Sequence, residues 1–211
     1  MYRLDILESW LACSPSLHRI RVLFIINAVN QLSDIKKNPG PLAAIMRALC
    51  AAKLVKNDTT PCQIEEGLFL GSLAAANNKS VLKSLNITHI LTVASSISPA
   101  HPDDFTCKSI EAKDSEDTNL AQYFDECFNF IDEAKKMGGG VLVHCFVGRS
   151  RSVTIVVAYL MKKHGMTLSD ALELVRSKRP QASPNAGFIK QLEDFEKSLQ
   201  GSQEAAQERP T

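Results

Sequence analysis

From Gln63 onward, apolar residues fall in two alternating rhythms. Short continuous runs come first: Leu68-Phe69-Leu70 between Gly67 and Gly71, then His89 to Val93, Phe105 to Ile110, and Val141-Leu142-Val143. Runs of this length, bounded by turn residues, predict buried strands. Between them the spacing widens to three and four. Leu120, Tyr123, Phe124, Cys127, Phe130, Ile131 and Ala134 trace one helical stripe, with Asn119 positioned to cap it and Gly138-Gly139-Gly140 to end it. Ser152 to Leu160 is apolar on every side and predicts a buried helix, closed by Lys162, Lys163 and Gly165. Thr167 with Asp170 forms a capping-box pattern for a helix through Val175, stopped by Pro180. Ser183 and Pro184 fit the N-cap and N1 positions of a last helix to about Leu199. Strands alternating with helices predict an α/β domain whose central mixed, mostly parallel sheet is flanked by helices.

Upstream the pattern is different. Asn38-Pro39-Gly40-Pro41 breaks the chain. Residues 42–56 then have helical spacing and only basic charges, with Arg47, Lys53 and Lys56 set among Ile45, Leu49, Leu54 and Val55. The division expected is 1–41 as an N-terminal extension, 42–60 as a basic amphipathic helix and linker, 61–200 as the main domain, and 201–211 as a polar tail. Val22 to Val29 is too short to span a bilayer and contains Asn27, so no membrane insertion is expected. Asp5, Glu8, Pro15 and His18 spoil a signal peptide, and organelle targeting by residues 1–40 is not expected. A net charge of +1 gives no general attraction to nucleic acid. Six cysteines (Cys13, Cys50, Cys62, Cys107, Cys127, Cys145) show neither C-x-x-C nor zinc spacing. They read as reduced thiols in an intracellular protein, with no metal or other cofactor provided for.

Residues 144–152 carry the chemistry: His-Cys-Phe-Val-Gly-Arg-Ser-Arg-Ser, on the turn from a predicted strand into a predicted helix. Several backbone N–H groups of such a turn can converge on one anion. A free thiol is mostly protonated at neutral pH, but a helix N-terminus and a neighbouring guanidinium can both lower its pKa. Cys145 has the helix and Arg151. Phe146, Val147, Gly148, Arg149, Ser150 and Arg151 would form the anion loop, with Gly148 free to take a positive φ. The planar fork of Arg151 suits two phosphate oxygens. Ser152 is placed to stabilise a departing thiolate, and His144 reads as a neutral core ring that orients the loop. Together these predict covalent catalysis through a phosphocysteine. Cys127 and Cys107, by contrast, read as small buried hydrophobes.

His144, Cys145, Gly148, Ser150, Arg151 and Ser152 reproduce the signature of the cysteine-dependent dual-specificity protein phosphatases, and Ala158-Tyr159-Leu160-Met161 repeats a common continuation of it. The resemblance covers about residues 62–199, including Gly67–Gly71 and Ser183-Pro184-Asn185-Ala186-Gly187-Phe188. It is closest to the small plant members, which lack the rhodanese-like kinase-docking domain of the large animal enzymes. Residues 1–40 fall outside it. The resemblance implies a cysteine-phosphatase fold and hydrolysis of phosphotyrosine and phosphoserine or phosphothreonine in proteins. By family analogy the target is a MAP kinase, and the compartment cytoplasm or nucleus.

The leaving alcohol also needs a proton donor. Asp103, Asp104, Asp114 and Asp117 are the upstream candidates. Asp114 follows the Phe105–Ile110 run and precedes the helix expected near Asn119. In the family the acid precedes an Asn-Leu-x-x-Tyr-Phe segment, here Asn119 to Phe124, which implies Asp114. Asn185 resembles a family residue that braces the phosphate loop. Lipid-directed members carry extra lysines in the loop, where only Arg149 is basic here, and glucan-directed members add a carbohydrate-binding domain. A protein substrate is therefore favoured over a phosphoinositide or a glucan. The basic segment 42–57 suits calmodulin, an acidic kinase groove or simple packing on the domain. A binding scaffold with little activity is the non-enzymatic alternative.

Overall fold

A computed structural model describes residues 57–207, with side chains through Gly201. The predicted basic helix with Arg47, Lys53 and Lys56, the extension before it, and Cys13 and Cys50 all lie outside the described residues.

Five strands form one sheet: β1 (Cys62–Glu65), β2 (Leu68–Gly71), β3 (Ile87–Val93), β4 (Thr106–Ile110) and β5 (Gly140–His144), in the order β1-β2-β5-β3-β4. Only β1 runs antiparallel, against β2; the other pairings are parallel. The expected α/β architecture, a mixed and mostly parallel sheet between helices, is therefore present. Every residue of the central strand β5 is buried, which its unbroken apolar character foreshadows. Side chains alternate across the sheet. Leu91, Val93, Val141 and Val143 join the larger core, while Ile90, Leu142 and Phe69 join the smaller one behind it.

Among the described residues the helices are α1 (Leu73–Ala76), α2 (Lys79–Ser84), α3 (Phe124–Lys136), α4 (Arg151–His164), α5 (Leu168–Lys178) and α6 (Ala186–Gln207). The first two supply Ala76 and Leu82 to the smaller core, and the last four pack into the larger one. Eleven of the fourteen residues of α4 are buried, so packing rather than its β-branched, weakly helix-forming sequence holds it. It ends on Gly165, whose φ of +63° gives the left-handed cap. Thr167 caps α5 by accepting from the Asp170 N–H at 3.1 Å.

Several boundaries differ from the sequence expectation. Asn119 lies ahead of a single 3-10 turn, Ala121–Tyr123, whose N-cap position is Leu120; the Asn119 Oδ1 accepts from the Gln122 N–H at 3.3 Å, and α3 starts only at Phe124. The cap of α6 is Asn185 and not Ser183. The Asn185 Oδ1 accepts from the Phe188 N–H at 3.0 Å, while the Ser183 N–H is taken by the Arg149 carbonyl at 2.8 Å. This last helix runs through Gln207, into the stretch expected as a polar tail. Strand β1 and helices α1 and α2 have no counterpart in the apolar rhythm. They are four to six residues long, too short for a period to register.

Candidate active site

The C-terminal ends of β3, β4 and β5 open on one edge of the sheet, where Thr92 lies in register with both Ser109 and His144. Ligand sites of parallel sheets gather at this edge. The chain leaves β5 at His144, curls through residues 145–150, and enters α4 at Arg151. Cys145, only 1% exposed, sits at the bottom of the curl. Its Sγ accepts from the Gly148 N–H at 3.3 Å and from the Ser152 hydroxyl at 3.2 Å. Burial alone would push this thiol up. The Arg151 guanidinium, the Ser152 hydroxyl and the Ser152 N–H outweigh both burial and the opposing charge of Asp114, and the thiol is held below its ordinary range.

Gly148 has a φ of +68°, and a Cβ there would meet the Gly71 carbonyl oxygen at 2.3 Å. Glycine is required on both counts. His144 is buried and held at about 4, chiefly by burial, which outweighs the raising hydrogen bond to the Cys145 carbonyl and is assisted by the smaller effect of the Arg151 charge. Its Nδ1 lies 3.3 Å from that carbonyl and its Nε2 lies 2.8 Å from the Thr92 hydroxyl. A carbonyl can only accept, so Nδ1 carries the proton and Nε2 accepts from Thr92. The ring is a neutral brace between β5, β3 and the loop.

Asp114 belongs to the loop that follows β4, and its side chain is 27% exposed. Its Oδ1 accepts from the Ser150 hydroxyl at 2.7 Å and from the Asn185 amide at 3.0 Å. Its Oδ2 lies 3.6 Å from Nε of Arg151. The Arg151 side chain is 3% exposed and donates through Nη1 to the Ala112 carbonyl at 3.1 Å, while Nε is buried with no hydrogen-bond partner. A buried guanidinium with an unused N–H beside a thiol of lowered pKa is a pocket built for an anion. The structure thus brings Cys145, Ser152, Arg151, Ser150, Asp114 and Asn185 into one cluster.

Residues 68–198 match the family described as the dual specificity phosphatase catalytic domain. The chain belongs to the dual-specificity phosphatases. It is 65% identical over 167 residues to dual specificity protein phosphatase 1 of Arabidopsis thaliana, covering 79% of this chain and 84% of that one. It is 46% identical over 140 residues to the Dictyostelium discoideum protein named MAP kinase phosphatase with leucine-rich repeats protein 3, covering 66% of this chain and 16% of that one. The crystal structure of DUSP15 superposes with a TM-score of 0.65 at 37% identity, over 72% of this chain and 98% of that one. The protein is a plant-type member of the cysteine-dependent tyrosine-phosphatase superfamily and an enzyme of the dual-specificity protein phosphatase class.

Within this dual-specificity phosphatase, the remaining candidate residues divide between the far edge of the sheet, the Asp114 loop and the phosphate loop itself. Asp103 and Asp104 precede β4, at the sheet edge opposite Cys145. Asp104 is paired with Lys79 and Lys83, whose hydrogen bonds hold its carboxyl at about 2. Asp117 is exposed on the Asp114 loop. Phe146 is buried, its carbonyl tied to the Leu73 N–H at 3.1 Å. Val147 is half-buried, and Arg149 stands exposed at the lip.

Three supporting residues escape the sequence reading. Gln191, on α6, accepts from the Leu120 and Ala121 N–H groups at 2.8 and 2.9 Å and donates to the Thr118 carbonyl at 2.9 Å, fastening the far end of the Asp114 loop. Gly187 lets that loop lie against α6, because a Cβ there would meet the Glu116 carbonyl oxygen at 2.1 Å. Arg179 is buried behind the phosphate loop, where its guanidinium reaches the Val147 and Gly148 carbonyls. Gly187 lies inside a quoted motif, but a glutamine on an amphipathic helix and an arginine before a proline carry no sequence signal of a site.

Proposed function

We propose that this phosphatase cleaves phosphoprotein monoesters through a phosphocysteine on Cys145. The observation that carries the reading is the buried Cys145 sulfur, which accepts from Gly148 and Ser152 and lies in the field of Arg151. In the first step the thiolate attacks phosphorus in line, forming the S–P bond as the P–O bond to the leaving group breaks. Arg151 and the amides of residues 146–151 hold the three non-bridging oxygens. Asp114 protonates the leaving oxygen. Ser150 and Asn185 both bind its Oδ1, which leaves Oδ2 to carry the proton. In the second step water attacks phosphorus, Asp114 takes its proton, and the S–P bond breaks. The Ser152 hydroxyl stabilises the returning thiolate, and inorganic phosphate departs.

A doubly phosphorylated MAP kinase is the proposed substrate, supported by the name of the Dictyostelium relative. The test is release of phosphate from an activated MAP kinase, with phosphotyrosine and phosphothreonine followed separately. Loss of both supports the reading. Rapid release from a phosphoinositide or a phosphorylated glucan with none from the kinase overturns it. Cytoplasm and nucleus are the proposed compartments, where a tagged full chain should be seen. For residues 42–57 we retain calmodulin as a proposed partner. Calcium-dependent co-elution of the full chain, lost on reversing Arg47, Lys53 and Lys56 to glutamate, is the expected result.

A further inference from the structure

The phosphate loop has a front, where its N–H groups meet the anion, and a back. In a trans peptide the C=O and N–H point in opposite directions, so a carbonyl pinned at the back sets the N–H at the front. Arg179 pins two of them. Its Nη2 donates to the Val147 carbonyl at 2.9 Å and its Nε to the Gly148 carbonyl at 2.6 Å. The peptide carrying the Val147 oxygen also carries the Gly148 N–H, which donates to Cys145 Sγ at 3.3 Å. The peptide carrying the Gly148 oxygen also carries the Arg149 N–H, turned the same way by the same constraint. A missing Cβ makes this approach possible, since one on Gly148 would lie 2.5 Å from Nη2 of Arg179.

Arg179 is itself held. It is 1% exposed, and a buried guanidinium needs a counter-charge. Asp58 supplies one with both oxygens, Oδ1 at 3.2 Å from Nη1 and Oδ2 at 2.5 Å from Nη2, while Nη1 also lies 3.5 Å from Cys62 Sγ. Burial works against the charge on Arg179, but the hydrogen bonds and charge of Asp58 outweigh it and raise its pKa. The Ser72 hydroxyl donates to the Asp58 carbonyl at 2.9 Å and fixes that backbone. Asp58 precedes the family-matched stretch 68–198, so the phosphate loop is tied to a part of the chain outside that match.

We infer that Arg179, oriented by Asp58, is a positioning residue that keeps the Gly148 and Arg149 N–H groups turned toward the thiolate and the bound phosphate. The inference rests on the phosphocysteine reading above. Without the clamp, the Val147 and Gly148 carbonyls lose their buried donors, and rotation of either peptide would aim an oxygen at the anion instead of a hydrogen. A charge pair that served folding alone would change the amount of folded protein and leave the folded site as it is.

The test uses the full chain with Arg179→Met, Arg179→Lys, Asp58→Asn and the Asp58→Asn/Arg179→Met double variant. Three readouts are taken on folded protein: inhibition by inorganic phosphate, ultraviolet titration of the Cys145 thiolate against a Cys145→Ser blank, and kcat with KM. Arg179→Met should weaken phosphate inhibition at least about tenfold, or about 1.4 kcal/mol, and move the thiol titration upward. Arg179→Lys should recover part of both, and Asp58→Asn should shift both the same way by less. The double variant should be no worse than Arg179→Met, because Asp58 acts through Arg179. Wild-type phosphate inhibition and thiol titration in folded Arg179→Met would overturn the inference. If that variant does not fold, unchanged phosphate inhibition in Asp58→Asn overturns it equally. Turnover surviving Cys145→Ser is a different result and would overturn the phosphocysteine reading itself.

Discussion

Cys127 and Cys145 are both buried, one on the apolar face of an amphipathic helix and the other directly after a buried strand. On α3, Cys127 packs in the larger core; burial pushes its thiol up to about 12, with Glu126 adding to the effect and Lys108 opposing it. Cys145 is as deeply buried, yet its thiol is held below the ordinary range. The difference lies in the donors. A side chain facing the apolar flank of a helix meets carbon, whereas one at the mouth of α4 meets an N–H, a hydroxyl and a guanidinium. Burial makes each of those interactions stronger, and without them it would only suppress the charge. One residue type serves as packing in one place and as an anionic nucleophile in the other.

Replacing each cysteine by serine should separate the two most sharply. Cys145→Ser is expected to lower turnover of a phosphate monoester by at least about 10⁴-fold while phosphate still binds. Cys127→Ser should leave kcat unchanged and cost about 1–3 kcal/mol of stability in denaturant titration, for a hydroxyl placed among carbon. Loss of turnover in a folded Cys127→Ser protein would break the comparison. Next comes the acid. Asp114→Ala should lower kcat on an alkyl phosphate by roughly 10²–10⁴-fold, and less on an aryl phosphate whose leaving group needs no proton. An unchanged alkyl phosphate rate would transfer the role to Asp117.

His144 extends the contrast to a neighbouring ring. Folded, it binds its proton only near pH 4; unfolded, it does so near 6.5. Between those values the unfolded chain holds more protons, so stability should fall as pH drops from 6.5 toward 4, by on the order of 3 kcal/mol from this group. Denaturant midpoints across that window should lose part of their slope in His144→Gln. An identical slope would show that the ring is not buried neutral. Smallest is the hydroxyl on the thiolate. Ser152→Ala should move the Cys145 titration upward and lower kcat about tenfold, with phosphoenzyme accumulating because the second step loses more than the first.

The frame of the molecule was legible where the chain is most buried. The unbroken apolar residues of β5 and α4 announce a central strand and a core helix, and the nine residues between them announce the anion loop. Legibility fails where a side chain serves backbone that is distant in sequence. Arg179 binds carbonyls 31 and 32 residues away and a carboxylate 121 residues away, and nothing local distinguishes it from a solvated helix end. Gln191 fastens Leu120 across 71 residues. Asn185 stands out by its place in a motif, but its second task, capping α6, is masked by Ser183, because a serine before proline has the usual cap pattern. Short pieces such as β1 fail for another reason: with Ile64 as its one buried residue, it has no rhythm to read.

The central claim is that the thiol of lowered pKa at residue 145 takes the phosphoryl group. Acid quenching of Asp114→Ala during turnover of an aryl phosphate, followed by mass spectrometry of the peptide containing residues 144–152, tests it most directly. The account predicts phosphate on Cys145, absent in the Cys145→Ser control. Phosphate on His144 or any other residue, or steady turnover with no phosphorylated protein at any quench time, would contradict it.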